Sequence, residues 1–188
     1  MITLNSDAAS TSLSKTTKAI LNEYGIKLNK NLGQNYLIDR NKRDQIIQFG
    51  NLTKGDVVLE IGPGIGTLTI ELAKRVKKVI AIEQDSNICQ ILENRLKKEN
   101  IDNVELINDD ALNVEFPKFD KIISNLPYQI SSPITFKFLN YDFQLAILMY
   151  QKEFASRMNG KVGSKDYSRL SAMLYFKCDV DLLTGVSA

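Results

Sequence analysis

The sequence predicts an α/β domain: a mostly parallel sheet with helices on both faces. Short apolar runs alternate along the chain with segments whose apolar residues recur at helical spacing. The run V-V-L-E-I at residues 57–61 is broken by Gly62, Gly64 and Gly66, and helical spacing resumes at Thr67. Strand, glycine turn and helix in that order form the architecture of a nucleotide site. Polar residues also collect directly after successive apolar runs, where open parallel sheets bind their ligands.

Residues 1–14 are rich in Ser, Thr and Asn and are expected to be disordered. Ser14 suits the cap of a helix over 15–24 that Gly25 ends. Residues 29–39 read as a polar loop, and Asp39 suits the cap of a helix over 40–49 stopped by Gly50. Strand 57–61, helix 67–75, strand 79–83 and helix 86–98 follow. Ser86 reads as the cap of that last helix, and Ile88, Ile91, Leu92 and Leu96 form its buried stripe. Strands are expected at 104–107 and 120–124, a helix at 133–139, a strand at 145–150 and a helix at 152–158. A basic loop at 159–165, a helix at 169–178 and a half-buried strand at 179–186 complete the chain, for six core strands in all. No repeat or linker interrupts this order, so residues 29–188 read as one domain behind an N-terminal extension, 1–28.

The 188 residues suffice for one good core, and 44% hydrophobic content is that of an ordinary globular protein. The longest apolar runs fall far short of the roughly 20 residues that a membrane-spanning helix needs. The polar start shows no leader pattern, so a cytoplasmic protein is expected. Cys89 and Cys178 lack metal or disulfide spacing and read as buried small residues in a reducing compartment. Histidine is absent, which excludes an imidazole base, a Ser-His pair and zinc-histidine sites; no metal is expected. The net charge is only +2, yet Lys152, Arg157, Lys161, Lys165, Arg169 and Lys177 follow the later strands with few acids among them. Such a run is either a solvated face or a rim that contacts phosphates.

The turn argues against a dinucleotide. Its pattern is G-P-G-x-G, Pro63 lacks an amide donor, and Glu60 would set negative charge beside a phosphate. A carboxylate there suits a cationic ligand. Glu83 ends the second strand, about twenty residues on, where an acid can bind both hydroxyls of a ribose. The third strand runs into Asn108-Asp109-Asp110-Ala111 and the fourth into Asn125-Leu126-Pro127-Tyr128. Alone, N-L-P-Y is equally a turn with a packed tyrosine. At a strand's carboxyl end, the Asn oxygen and a carbonyl freed by the turn could instead accept from one planar amine, with Tyr128 stacked on its ring.

E-I-G-P-G-I-G and N-L-P-Y together resemble the amino-methylating branch of the S-adenosylmethionine-dependent methyltransferases. With N-L-G-Q-N-Y-L-I-D, Asp110-Ala111-Leu112 and N-L-P-Y-Q-I-S-S-P, the chain from about residue 28 onward is similar to the ribosomal RNA adenine dimethyltransferases. Q-I-S-S-P and M-Y-Q-K-E-F-A are closer to the archaeal and eukaryotic members. The resemblance implies the Rossmann-like class I methyltransferase fold and S-adenosylmethionine as cofactor. It implies dimethylation of two adjacent adenosines near the 3′ end of small-subunit rRNA, in ribosome biogenesis, by a monomer. It implies a cofactor site of Gln34, Asn35, Leu37, Glu60, Gly62, Gly64, Gly66, Glu83, Asp110, Ala111 and Asn125. Asn125, Leu126 and Pro127 would orient the target amine, with the Pro127 carbonyl as second acceptor, and Tyr128 would stack on the base. Phe154 would be either the opposite face of that sandwich or a core aromatic.

Family members continue past the equivalent of Ala188 with a proline-rich segment, a seventh strand and a small helical RNA-binding domain. This chain is therefore expected to be a catalytic core that keeps cofactor binding while ribosome binding and turnover fall. Three alternatives remain: a 23S rRNA adenine methyltransferase of the resistance type, a DNA amino-methyltransferase, and a non-catalytic nucleic-acid-binding relative. Q-I-S-S-P argues against the first, and intact Glu83, Asp110 and N-L-P-Y argue against the last.

Overall fold

The computed structural model describes residues 39–185 and, ahead of them, Lys15, Thr17, Ala19 and Ile20, which are helical. The expected extension, the limits of the 15–24 helix and the loop before Asp39 lie outside the described residues. Asp39 caps α1 (Arg40–Phe49), its Oδ1 accepting from the Asn41 and Lys42 N–H groups at 2.8 and 3.1 Å. α1 stops at Gly50, but Gly50 stays right-handed (φ −65°), and the reversal falls on Asn51 at φ 43°. Space explains that glycine: a Cβ there would strike the Ile123 side chain.

β1 (Val57–Ile61), α2 (Thr69–Ala73), β2 (Lys78–Glu83), α3 (Ser86–Lys98) and β3 (Val104–Asn108) build one half of the sheet. β4 (Lys121–Asn125), α4 (Ser131–Phe138), β5 (Leu145–Met149), α5 (Lys152–Met158) and α6 (Arg169–Tyr175) follow. α2 is shorter than the expected 67–75 because turns occupy the residues after Gly64. Asp85, not Ser86, caps α3; its Oδ1 accepts from Asn87 and Ile88 N–H at 2.9 and 3.3 Å. Asp and Ser cap about equally well. The choice is made outside the helix, where the Asp85 N–H donates to Glu83 Oε1 at 3.1 Å and Asp85 stays extended.

The strands pair in the order β3-β2-β1-β4-β5, all parallel, so the chain reverses direction across the sheet between β1 and β4. The expected sixth strand does not form: residues 179–185 are irregular and largely exposed. Adjacent Leu182 and Leu183 would fall on opposite faces of a strand, so the segment offers no single apolar face. The helix expected over 169–178 likewise ends at Tyr175, and Cys178 is exposed rather than buried; Cys89 is buried as expected.

Alternation along the strands sends residues to two cores. Val58, Val79, Ala81, Ile123 and Ile147 meet Ile46, Ile47, Leu68 and Leu72 on one face. Leu59, Ile61, Ile80, Ile82 and Ile122 meet Phe116, Phe119, Ile134 and Phe138 on the other. Among the described residues no helix is long and apolar enough to cross a membrane.

Candidate active site

The reversal between β1 and β4 opens the sheet at the strands' carboxyl ends. Ladder pairing between these strands covers Val58 with Lys121 and Leu59 with Ile122. Beyond it the Ser124 side chain takes over: its Oγ accepts from the Ile61 N–H at 3.3 Å and donates to the Ile61 carbonyl at 2.5 Å. A hydroxyl can do both at once. The two backbones therefore part, as they do where open α/β sheets form a ligand crevice.

The glycine turn lies on one side of this crevice. Gly62, Gly64 and Gly66 have φ of 68°, 55° and 85°, a region that costs a side-chain-bearing residue about 1–2 kcal/mol. Gly62 N–H donates to Ile82 O at 2.9 Å, and a Cβ on Gly62 would meet the Pro127 ring at 3.0 Å. The glycine turn and the N-L-P-Y turn, 60-odd residues apart in sequence, are thus packed against each other.

The acids differ in environment. Glu60 is only 2% exposed, and its Oε2, like the buried Thr69 Oγ1, has no hydrogen-bond partner. Burial pushes the Glu60 carboxyl up to about 8, opposed next by the Thr69 hydroxyl beside it, with a lesser upward push from Glu83. Glu83 is half-buried at the end of β2. Its Oε2 accepts from Gly64 N–H at 3.2 Å and its Oε1 from Asp85 N–H, which ties the acid to the glycine turn. Burial raises its carboxyl also, and those amides oppose the rise. Asp110 holds its own loop: Oδ1 accepts from Leu112 N–H at 2.9 Å and Oδ2 from Asn113 Nδ2 at 3.2 Å. Each carboxylate oxygen keeps a second lone pair for a ligand. Ala111 beside it is buried in the core.

Asn125 ends β4 in register with Met149, and Leu126 after it is buried. Pro127 is extended and Tyr128 opens a short 3-10 turn. The Pro127 carbonyl, expected as the second acceptor, takes the Ile130 N–H at 3.2 Å and keeps a second lone pair. Tyr128 and Phe154 line one cleft. Phe154 is half-buried and also packs on Tyr150, ring centroids 4.9 Å apart. Tyr150 is anchored in turn by Thr135, with 2.6 Å between the hydroxyl oxygens, and burial pushes its phenol up to about 12. Gln34, Asn35 and Leu37 lie outside the described residues.

Residues 25–188 match the ribosomal RNA adenine dimethylase family. The chain belongs to that family. It is 55% identical over 167 residues to a probable ribosomal RNA small subunit methyltransferase A of Methanosphaera stadtmanae, covering 89% of this chain and 62% of the relative. The namesake from Methanothermobacter thermautotrophicus is 54% identical over 89% of this chain and 60% of its own length. The chain thus spans about three fifths of these relatives. Among solved structures, a dimethyladenosine transferase from Plasmodium falciparum superposes with a TM-score of 0.67 at 43% identity, covering 71% of this chain and 49% of that one. The 23S rRNA methyltransferase ErmE gives 0.66 at 34% identity, over 75% of this chain and 57% of its own. The fold is therefore the Rossmann-like class I methyltransferase fold.

Three side chains of this site escaped the sequence reading. Ser124 interrupts the apolar run K-I-I-S-N, and a lone hydroxyl in a buried strand is a signal of that kind. Thr69 follows the glycine turn and reads as an ordinary helix residue. Lys137 sits in the apolar segment of α4, and its Nζ donates to the Ala111, Leu112 and Val114 carbonyls while standing 4.3 Å from the Phe116 ring centroid.

Proposed function

We propose that this chain transfers methyl groups from S-adenosylmethionine to the exocyclic amines of two adjacent adenosines near the 3′ end of small-subunit rRNA, in the cytoplasm. The observation that carries this reading is the packing of Gly62 against Pro127 at the sheet's reversal. It sets the glycine turn and the N-L-P-Y turn on one crevice, which supports reading the first as nucleoside-binding and the second as amine-orienting.

The residues present suit such a cofactor. Glu83, fixed by two amides, has the lone pairs for a ribose diol, and Asp110 those for an adenine amine. Glu60 and Thr69 leave buried polar atoms unpaired, which fits a hydrogen-bonding ligand. Gly62 lets the Pro127 ring and Gly66 the Leu92 side chain approach the turn closely, and Gln34, Asn35 and Leu37 would close over the cofactor. The cofactor supplies a methyl carbon already activated by its cationic sulfur, so no histidine base is called for.

An adenine amine is a poor nucleophile because its lone pair is shared with the ring. The Asn125 side-chain oxygen and the Pro127 carbonyl accept from its N–H groups. They favour a more tetrahedral nitrogen and stabilise its developing positive charge. Alignment and fixed dipoles of this kind are worth several kcal/mol. Extruding the base costs a few kcal/mol, which stacking between Tyr128 and Phe154 offsets.

The identity to the small-subunit enzymes, 55% and 54%, against 34% to the 23S enzyme, favours small-subunit rRNA. Calorimetric titration with S-adenosylmethionine and methyl transfer to unmodified small subunits test the reading together. Glu83→Ala should weaken cofactor binding at least tenfold, and Asn125→Ala should abolish transfer while binding persists. A wild-type chain that neither binds the cofactor nor transfers a methyl group would leave a non-catalytic RNA-binding role.

A further inference from the structure

The cleft that Tyr128 and Phe154 line, about 430 Å³ in volume, extends among α4, α5 and α6 to Phe136, Arg157 and Arg169. That is the size of a site for one small-molecule-sized group. Tyr128, Phe154 and Phe136 give it aromatic walls, Ser132 stands at the start of α4, and Arg157 and Arg169 supply two guanidinium groups. No carboxylate lines it. Among the described residues neither arginine has an ion-pair partner, although every other described arginine except Arg40 does. Arg169 lies 5.6 Å from the Phe136 ring centroid, in cation–π range.

The arginines sit on a braced frame. Ser171 Oγ donates to the Arg157 carbonyl at 2.8 Å, and the Ser168 N–H donates to Ser171 Oγ at 2.9 Å. The end of α5 and the start of α6 are thereby tied, and the two arginines hold their spacing. Lys152, Lys161 and Lys165 in the same stretch of chain are exposed.

We infer that the part of this cleft lined by Phe136, Arg157 and Arg169 seats the nucleotide adjacent to the target adenosine, whose own base lies between Tyr128 and Phe154. This rests on the function proposed above. Arg157 and Arg169 hold the phosphates flanking that nucleotide, and Phe136, with Arg169 laid over it, stacks against its base. Single-stranded RNA is recognised by that combination: π faces for bases and planar guanidinium forks for phosphate oxygens. A solvated basic face would need neither the concavity nor the three rings. The cleft then decides which nucleotide of the strand reaches Asn125, because a neighbour fixed beside Tyr128 sets the register of the base inside.

The test compares wild type with an Arg157→Gln/Arg169→Gln double variant and its Arg→Lys counterpart. Three quantities are read: cofactor affinity by calorimetry, affinity for a labelled single-stranded RNA with two adjacent adenosines across a salt series, and methyl transfer to unmodified small subunits. In the Gln variant, cofactor affinity and Tm should stay at wild-type values. RNA affinity should fall about tenfold or more, and the plot of log affinity against log salt should become shallower by about 1.4, two phosphates at about 0.7 each. KM for subunits should rise while kcat stays within about twofold, and the Lys variant should keep the salt slope with part of the affinity. A Gln variant that matches wild type in affinity, slope and KM, while wild type transfers methyl groups, overturns the cleft and leaves the proposed function standing. Loss of cofactor affinity or Tm in step with RNA affinity also overturns it, since the arginines would then serve the fold. A wild type that neither binds RNA nor transfers overturns both.

Discussion

Glu60 shows how one buried group couples stability to pH. Its folded carboxyl titrates near 8, above the usual 4.5, because burial disfavours the charged form. Below about pH 4.5 it is neutral in both states and costs nothing. Between there and about 8 only the unfolded state ionises, so stability falls by about 1.4 kcal/mol per pH unit. Glu60→Gln should flatten that slope: from pH 5 to 8 its Tm should drop less than wild type's in matched thermal scans without cofactor. A parallel decline in the two proteins would mean that Glu60 is not held neutral. Gly62 tests the crevice by shape instead. With φ at 68° and Pro127 3.0 Å from any added Cβ, Gly62→Ala should lose about 1–3 kcal/mol in denaturant unfolding and weaken cofactor binding.

At the scale of elements, α4 joins the two halves of the crevice. Its N-terminus follows the N-L-P-Y turn, and its Lys137 gathers three carbonyls of the loop after Asp110. Burial holds the Lys137 ammonium below its usual value, against the pull of Asp110, Asp109 and Glu115. Lys137→Met keeps the stem over Phe116 but strands those carbonyls. Amide exchange at residues 110–114 should quicken and cofactor affinity should fall about tenfold, with little change in helix content. Unchanged exchange in that loop would show that Asp110's own turn suffices. Ser124 does the equivalent work between strands, and Ser124→Ala, which leaves the Ile61 N–H unpaired, should cost about 1–3 kcal/mol.

For the whole molecule, the opposite end of the sheet serves as the anchor. Lys121 Nζ meets Asp56 Oδ2 at 3.0 Å, both side chains at most 10% exposed, and also donates to the Asn51 carbonyl at 2.7 Å. Burial pulls the Asp56 carboxyl up, but the Thr53 N–H and Lys121 outweigh it and hold it below its usual value. An acid so depressed contributes stability above its unfolded pKa and loses it as pH falls through the folded one. Lys121→Met should therefore destabilise the chain by about 3–5 kcal/mol at pH 7, and less at pH 3, in urea titrations. This pair keeps β1 and β4 together at their amino ends, and Ser124 bridges the strands at the other end, where they part. The same two strands are thus clamped where structure needs it and open where ligands enter.

Local patterns were enough to read most of this. The buried runs named every strand of the sheet to within a residue or so, because a strand buried on both faces is continuously apolar. The glycine turn, Glu83, Asp110 and N-L-P-Y marked strand ends, and a parallel sheet places all its carboxyl ends along one edge. Other features depended on partners distant in sequence. The alternation at 179–186 could not show that no strand lay alongside to pair with it, and D-S at 85–86 could not show which cap Glu83 would hold extended. The neutrality of Glu60, the three carbonyls under Lys137 and the pairing of Arg157 with Arg169 in one cleft are likewise products of packing. Burial and long-range contact are properties of the folded chain, so only the tertiary structure could decide them.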